Sequence, residues 1–314
     1  MQLQGAIMNR IFKILLSLVR KMSNESINNL KLMIGQSAIL SSRSLSHKFT
    51  DLWDAEVKVF SQWGEDGILD FICETLKLSK PKVVEIGAGN FIECNSRFLA
   101  ENRNASIVAI DARTDLTSEV KKMSIYWKTH IFPISQIVTP DNINDLLTVS
   151  NEKLNGIDIL SLDIDGNDYW VLDAAKLENI EVIIVEYNSL FGYLNEVSVP
   201  RDDLFNRSEK HFSCLYYGAS LPAFIYTLSK KGFIFLGSNK VCNNAFFVNK
   251  EKIKKFSIKI PTDLMIYVDS RVRESRDITG SLNFLSGNNR QEVIESMPLV
   301  NVKSNIQTTL REIS

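Results

Sequence analysis

A chain of 314 residues with a formal net charge of -1 and a pI near 6.4 is not a nucleic-acid polycation, because such domains are strongly basic. Its 45% hydrophobic and 23% charged residues are ordinary for a soluble globular protein with one large domain and extensions, or two modest domains. Cys73, Cys94, Cys214 and Cys242 make no CxxC pair, which argues against a zinc clip and fits a reducing, cytoplasmic compartment.

No apolar run approaches the ~18 residues of a membrane span, and no small-x-small cleavage pattern follows Ile14 to Val19. Residues 7–21 read as an amphipathic helix. Ile7, Ile11, Leu15 and Leu18 share one face, and Arg10, Lys13, Ser17 and Arg20 share the other. Two uses fit: peripheral contact with an anionic membrane, or packing on the chain's own domain or a second subunit. Residues 22–50 are rich in Ser and Asn and read as loops with short helices, so residues 1–50 form an N-terminal extension.

Ser61-Gln62-Trp63-Gly64-Glu65-Asp66-Gly67 then opens a helix toward Leu78 that Pro81 stops. Gln62 or Glu65 reaches a ligand cleft, or the segment is simply a capped helix over the first strand. The central stretch follows. Val83 to Ile86 is a buried strand, with Glu85 near its end, that breaks into Gly87-Ala88-Gly89. The next apolar run, Ile107 to Ile110, ends in Asp111. Such a pair of strand ends suits a nucleoside: the glycines let backbone approach a ligand, and the second carboxylate can hold a ribose diol.

Asn95 to Asn102 reads as a helix, Ser124 to Trp127 as a third strand, and Pro140 to Leu147 as a further helix start. Gly156 to Asp168 is a buried strand ending in acids, followed by a helix over Trp170 to Leu177. Ile180 to Val185 is another strand, ending in Glu186-Tyr187-Asn188. A helix over Gly218 to Lys231 precedes a hairpin of Phe233 to Leu236 and Ala245 to Val248. Strands alternating with helices imply an α/β fold, a mostly parallel sheet covered on both faces, here closed by an antiparallel pair. Residues 251–314 continue with a helix-like stretch around Leu264 to Arg276 and then polar, irregular sequence, an appendage to the same domain.

Ile92 stands where a dinucleotide fingerprint has its third glycine, and there is no G-x-x-x-x-G-K-[ST] loop. S-adenosylmethionine has no pyrophosphate; it needs a glycine turn, an acid for its ribose and apolar walls for its adenine, and Glu85, Gly87, Gly89 and Asp111 supply the first two.

Several separated motifs make the chain resemble the FkbM-type methyltransferases of the class I S-adenosylmethionine-dependent fold. They are Ser61-Gln62-x-Gly64-Glu65-Asp66-Gly67, the Glu85 to Gly89 turn, Glu93-Cys94-Asn95-Ser96, Leu162 to Asp168, Glu186-Tyr187-Asn188 and Tyr217-Gly218-Ala219-Ser220-Leu221. A further one is Arg273-Glu274-Ser275-Arg276-Asp277 with Gly280, and the likeness spans residues 55–303. It implies a Rossmann-like, seven-stranded sheet with an antiparallel terminal hairpin, and a methyltransferase domain over residues 51–250. It also implies methyl transfer to oxygen, on the hydroxyl of a sugar, glycan or glycolipid. Glu85, Gly87, Gly89 and Asp111, with Gln62 and Asn95, are the expected cofactor contacts. The chain departs from the commonest family form with Glu85 in place of Asp and with Phe91 after Asn90.

A sugar hydroxyl is a weak acid and needs a base or a metal to lose its proton. Extended geometry places Asp163 and Asp165 on one face of their strand end, and Glu186 and Asn188 on one face of the next. Asp165 and Asp163 are candidate catalytic acids. Asp165, Glu186 and Asn188 are candidate ligands of a magnesium-like ion; the alternatives are a metal-free carboxylate base, or a turn that merely caps its helix. His211 is a further candidate base, or a surface loop histidine. Tyr216 and Tyr217 read as a sugar-stacking wall or as ordinary packing. Arg273 and Arg276 suit an anionic substrate group or, with Glu274 and Asp277, a structural ion-pair cluster. Two further readings stay open: an NAD-dependent sugar-nucleotide enzyme, and a non-catalytic cofactor-binding module recruited to a membrane or partner through the first helix.

Overall fold

The computed structural model describes residues 25–313. The amphipathic stretch at residues 7–21, and with it the membrane or partner contact expected there, lies outside the described residues. The first described element, α1, runs through residues 25–45. A loop with short helices is therefore wrong for this stretch: Ser and Asn are tolerated on the exposed side of a helix when its other side finds a surface to pack on.

Then come α2 (Glu65–Leu76), β1 (Lys82–Ile86), α3 (Arg97–Arg103), β2 (Ser106–Asp111), α4 (Leu116–Lys122), β3 (Ile131–Ser135), α5 (Ile143–Leu154), β4 (Ile159–Leu162), α6 (Asp168–Ala174) and β5 (Val182–Glu186). After these follow β6 (Val197–Ser198), α7 (Arg207–Lys210), α8 (Leu221–Lys230), β7 (Phe233–Ser238) and β8 (Asn244–Asn249). The chain continues through α9 (Asn288–Glu292), β9 (Pro298–Asn301), β10 (Ile306–Thr309) and α10 (Leu310–Ile313).

Seven strands form one sheet in the order β3-β2-β1-β4-β5-β8-β7. The first five are parallel, and β8 is antiparallel to both β5 and β7. This is the Rossmann-like sheet with an antiparallel terminal hairpin that the resemblance implies. The apolar runs of β1, β2, β4 and β5 are buried on both faces, as parallel strands require. One face is covered by α2, α3 and α4 through Ile68, Ile72, Leu99 and Val120. The other is covered by α5, α6 and α8 through Leu147, Leu172, Phe224 and Leu228.

Helix ends follow local chemistry. Asn104 and Asn155 take left-handed conformations just past α3 and α5, where a short polar side chain tolerates that geometry. Ser220 caps α8 by accepting from the Ala223 N–H, with Pro222 in the first turn.

The third strand is Ile131–Ser135, and Ser124–Trp127 is only a 3-10 turn. Pro133 disguised the strand, yet β3 is a sheet edge, where a missing N–H does little harm. Leu264 to Arg276 holds no α-helix: a three-residue turn at Met265–Tyr267 is all that forms. The later polar sequence is less irregular than it reads, because β9 and β10 form a hairpin that pairs with β6 in a second sheet. That sheet, with α10, packs Leu299 and Leu310 on Leu190, Phe191 and Leu215, and so supports the loops that follow β5. Among the described residues, no helix is long and apolar enough to cross a membrane.

An ion cluster ties α1 to this body. Arg43 of α1 makes two 2.8 Å bonds to the Asp70 carboxylate, and Arg103 adds a third of 2.8 Å. The Asp70 side chain is only 2% exposed. Glu74 also pairs with both arginines, at 3.7 Å from Arg43 and 2.9 Å from Arg103, so Asp70→Ala removes the buried partner but not the last one and should cost about 1–3 kcal/mol, read as a lowered urea midpoint.

Candidate functional site

β1 and β4 are neighbours in register, Ile86 beside Leu162, so the turns that leave them face each other at the carboxyl edge of the sheet. Gly87 has φ +84°, and a Cβ built on it would lie 1.5 Å from the Asp163 carbonyl oxygen. No side chain fits there. Gly89 has φ +57° but meets nothing within 4 Å, so its missing side chain leaves open space. The Gly89 N–H donates to Asp111 Oδ2 at 2.7 Å, and the Arg113 N–H donates to Oδ1 at 2.9 Å. A carboxylate has about four acceptor sites, so Asp111 keeps capacity for a ligand diol.

Glu85, expected as a cofactor contact, is turned inward and is not among the cavity's lining residues. It is 3% exposed, and its two oxygens accept the N–H groups of Asn95 at 2.7 Å and Ser96 at 2.9 Å. Burial raises its pKa against those hydrogen bonds. Asn95 is likewise spent inside the protein, with its amide donating to Ser161 Oγ at 3.1 Å. These contacts also bear on dinucleotides. A pyrophosphate wants a helix N-terminus directly behind the glycine turn, but α3 starts only at Arg97, and the amides just before it already serve Glu85. Gln62 is exposed and is not among the cavity's lining residues. Glu65 is buried and binds the Asn239 and Asn244 amides at 2.7 and 2.8 Å, pinning the β7–β8 turn to the start of α2.

A cavity of about 480 Å³ is lined by Gly87, Gly89 and Asp111 together with Asp163 and Asp165. Ile137, Val138, Leu204 and Phe205 supply apolar lining. Its size is that of ordinary small-molecule sites. The outer lining comes from the stretch around Asp202 to Asn206. Asn167 clamps this stretch by accepting from the Asp202 N–H at 3.1 Å and donating to the Asp202 carbonyl. Phe205 lies on Gly166, where a Cβ would come within 2.3 Å of its ring.

Asp163, Asp165 and Glu186 place carboxylate oxygens within 4.8 Å of one another. Strand alternation does not do this, because β4 ends at Leu162 and Asp165 has φ +56°. The turn brings Asp165 back instead, and Asp168 holds the turn by accepting the N–H groups of Ile164 at 2.8 Å and Gly166 at 2.9 Å. Burial, then the charge of Asp165, pushes the Glu186 carboxyl up to about 8. Burial, then Glu186, holds Asp163 well above the usual carboxylate range.

Asn188, expected beside Asp165 and Glu186, spends its side chain on other partners. Its amide donates to the carbonyls of Leu215 and Tyr217 at 2.9 and 3.0 Å, and its oxygen accepts from the Leu190 N–H at 3.1 Å. Asp163 is the third carboxylate in its place. His211 is not brought to the acids either. Its Nδ1 bonds Ser213 Oγ at 2.7 Å, and its ring packs on Phe212. Tyr216 is a packing residue whose hydroxyl donates to the Pro298 carbonyl. Arg276 pairs with Glu274 at 3.2 Å.

Arg207 and Tyr217 complete the centre. Arg207 donates to Asp165 at 2.9 Å and to the Cys214 carbonyl, and its guanidinium stacks on Tyr217 at 4.1 Å. Burial, then Glu186, raises the Tyr217 phenol well above its usual value. The Tyr217 motif was legible; Arg207, in a four-residue helix, carried no signal. A second, broader cleft of about 910 Å³ lies beyond, lined by Asp165, Arg207, Glu274, Arg276 and Asp277 among others. Asp165, Phe205 and Asn206 line both spaces.

No protein-family model matches the chain, and no curated protein matches it. Among solved structures, it is similar to an S-adenosylmethionine-dependent methyltransferase from Clostridium acetobutylicum, with 12% identity, 59% of this chain and 90% of that one covered, and a TM-score of 0.37. It is also similar to PKMT2 of Rickettsia typhi in complex with AdoHcy, with 11% identity, 55% and 50% coverage, and a TM-score of 0.36. A third is TrmK of M. capricolum in complex with S-adenosylhomocysteine, with 14% identity, 62% and 71% coverage, and a TM-score of 0.31. The chain thus spans only half the length of one of these proteins. Likeness this slight says nothing about the activity of this chain.

The two glycines should respond differently to alanine. Gly87→Ala drives a methyl into backbone and should abolish cofactor binding and lower the melting midpoint by several degrees. Gly89→Ala strains only φ, about 1 kcal/mol, and should leave a folded protein with weakened binding. Calorimetry with S-adenosylhomocysteine and thermal melts check both.

Proposed function

We propose that the protein is an S-adenosylmethionine-dependent O-methyltransferase of FkbM type, acting on a hydroxyl of a sugar, glycan or glycolipid. The observation that carries this reading is one cavity lined both by Gly87, Gly89 and Asp111 and by Asp163 and Asp165. Open space at Gly89, a carboxylate with free acceptor capacity at Asp111 and apolar lining at Ile137, Val138 and Leu204 fit an amino-acid end, a ribose and an adenine. Bound there, S-adenosylmethionine supplies a methyl group made electrophilic by its sulfonium.

The chain's own task is to present an acceptor oxygen in line and take its proton. Asp165 lines both spaces, so it meets an acceptor entering from the broader cleft. Its bond to Arg207 fixes its direction. Glu186, whose pKa of about 8 lies near working pH, is suited to accept the proton in turn.

A second reading has a divalent ion held by Asp163, Asp165 and Glu186, favoured by the mutual approach of their oxygens. Arg207 already brings a cation to Asp165, which favours the metal-free form. The NAD-dependent alternative is disfavoured by Ile92 and by the amides that Glu85 occupies. Tight binding of NAD without binding of S-adenosylmethionine would reverse that order. A non-catalytic module is disfavoured by Asp163 and Asp165 in the lining of the donor cavity.

Asp165→Asn should keep S-adenosylhomocysteine affinity within about twofold while methyl transfer to a glycan acceptor falls by roughly 10²–10⁴. A variant as active as the parent would remove Asp165 from the chemistry. Activity should survive exhaustive EDTA treatment; its loss, restored by magnesium, selects the metal reading.

The pH profile follows from Glu186. Only its ionised form accepts a proton, so in the presence of chelator kcat/KM should rise about tenfold per pH unit below 8 and level off above it. Glu186→Gln should flatten that limb.

A further inference from the structure

Arg290 sits in α9, 7% exposed. Its Nε is buried without a hydrogen-bond partner, and its guanidinium makes no hydrogen bond or ion pair among the described residues. A buried charge left this way is expensive and calls for a reason.

Its placement is well anchored. Gln291, beside it, donates to the Leu190 carbonyl at 2.9 Å, and Ile294 packs in one cluster with Leu190 and Phe191. So α9 is held over the loop that follows β5, the strand that ends in Glu186. The charged groups acting on Arg290 are Tyr217, Arg207 and Arg273, and its pKa is lowered, chiefly by burial. None of the three is a carboxylate, and burial keeps the Tyr217 phenol neutral. Arg207 already has Asp165 at 2.9 Å and Glu274 at 4.0 Å. Among the described residues, Arg273 reaches only the Phe284 carbonyl, at 2.9 Å. Among the described residues, two neighbouring guanidiniums therefore lack a carboxylate, one of them buried, and Arg207 with its stacked Tyr217 links them to Asp165.

We propose that Arg290, with Arg273 and the Arg207–Tyr217 stack beside it, forms a subsite for a phosphate-class oxyanion carried by the acceptor. A planar guanidinium with several donors matches such a group better than any other side chain. Because Arg290 is buried, the anion must enter as a small terminal group; a flat charged surface cannot reach it. The subsite deepens the proposed function and rests on it for the anion's identity as part of the acceptor. An acceptor bearing a phosphate would be held at Arg290 while its hydroxyl meets Asp165.

The probe is inorganic phosphate, titrated by calorimetry and by thermal melts at fixed ionic strength, against wild type, Arg290→Met and Arg290→Lys. Phosphate should bind and stabilise the wild type. Arg290→Met should weaken it by about tenfold or more, the usual cost of one charge-assisted hydrogen bond, and Arg290→Lys should recover part of it. Without phosphate, Arg290→Met should melt no lower than the wild type, because removing an unpaired buried charge relieves the fold. A wild type that phosphate neither binds nor stabilises overturns the proposal, and so does equal phosphate affinity in Arg290→Met. Should Arg290→Met not fold, the exposed Arg273→Gln takes its place, with weaker phosphate binding expected and unchanged binding counting against the subsite. S-adenosylhomocysteine is titrated in parallel. Its binding without phosphate binding sinks the subsite alone, whereas phosphate binding without it sinks the methyl-transfer reading alone.

Discussion

The approach of two backbone turns is the constraint on which the rest of the site depends. β1 and β4 lie side by side, and the chain leaving β1 at Gly87 runs against the carbonyl of Asp163 as it leaves β4. Only a residue without a Cβ permits that contact, and only that contact puts the glycine turn and the acid turn in one cavity. Glu85, Asp111 and Asp168 each hold part of this arrangement through backbone N–H groups. Three carboxylates that read as ligand contacts or caps are thus, in the fold, the fasteners of three turns.

The acid centre illustrates a second balance. Asp163, Asp165 and Glu186 repel one another in a partly buried space, and the protein meets this in two ways. It raises the proton affinity of Asp163 and Glu186, and it brings Arg207 to Asp165. Arg207 is itself aligned by Tyr217 and the Cys214 carbonyl. Strain at Asp165, held at φ +56°, is maintained by the Asp168 bonds around it, as expected where a functional group is aimed by its surroundings.

Much of the sheet was legible. Long apolar runs broken by glycine and acid located β1, β2, β4 and β5, since parallel strands buried on both faces leave a strong local pattern. The edge strand β3 was misplaced because Pro133 is tolerated only at an edge, and edge position is not a local property. α1 was missed because its polar composition is compensated by Arg43, whose partner Asp70 lies far along the chain. The β9–β10 hairpin was missed for the same reason: its partner β6 is two residues long and comes from the loop after β5.

The site divides along a similar line. The sequence by itself determined which strand ends carry glycine and acid, because backbone conformation and strand termination are written in neighbouring residues. It therefore located Gly87, Gly89, Asp111, Asp163, Asp165 and Glu186. Only the tertiary structure decided what each one touches. It turned Glu85, Asn95 and Asn188 inward to backbone and side-chain partners, left Gln62 and His211 away from the acids, and brought Arg207 and Arg290 in from loops and short helices. A side chain's partners are set by where distant segments pack, and that depends on the free energy of the whole fold rather than on any pattern within a few residues.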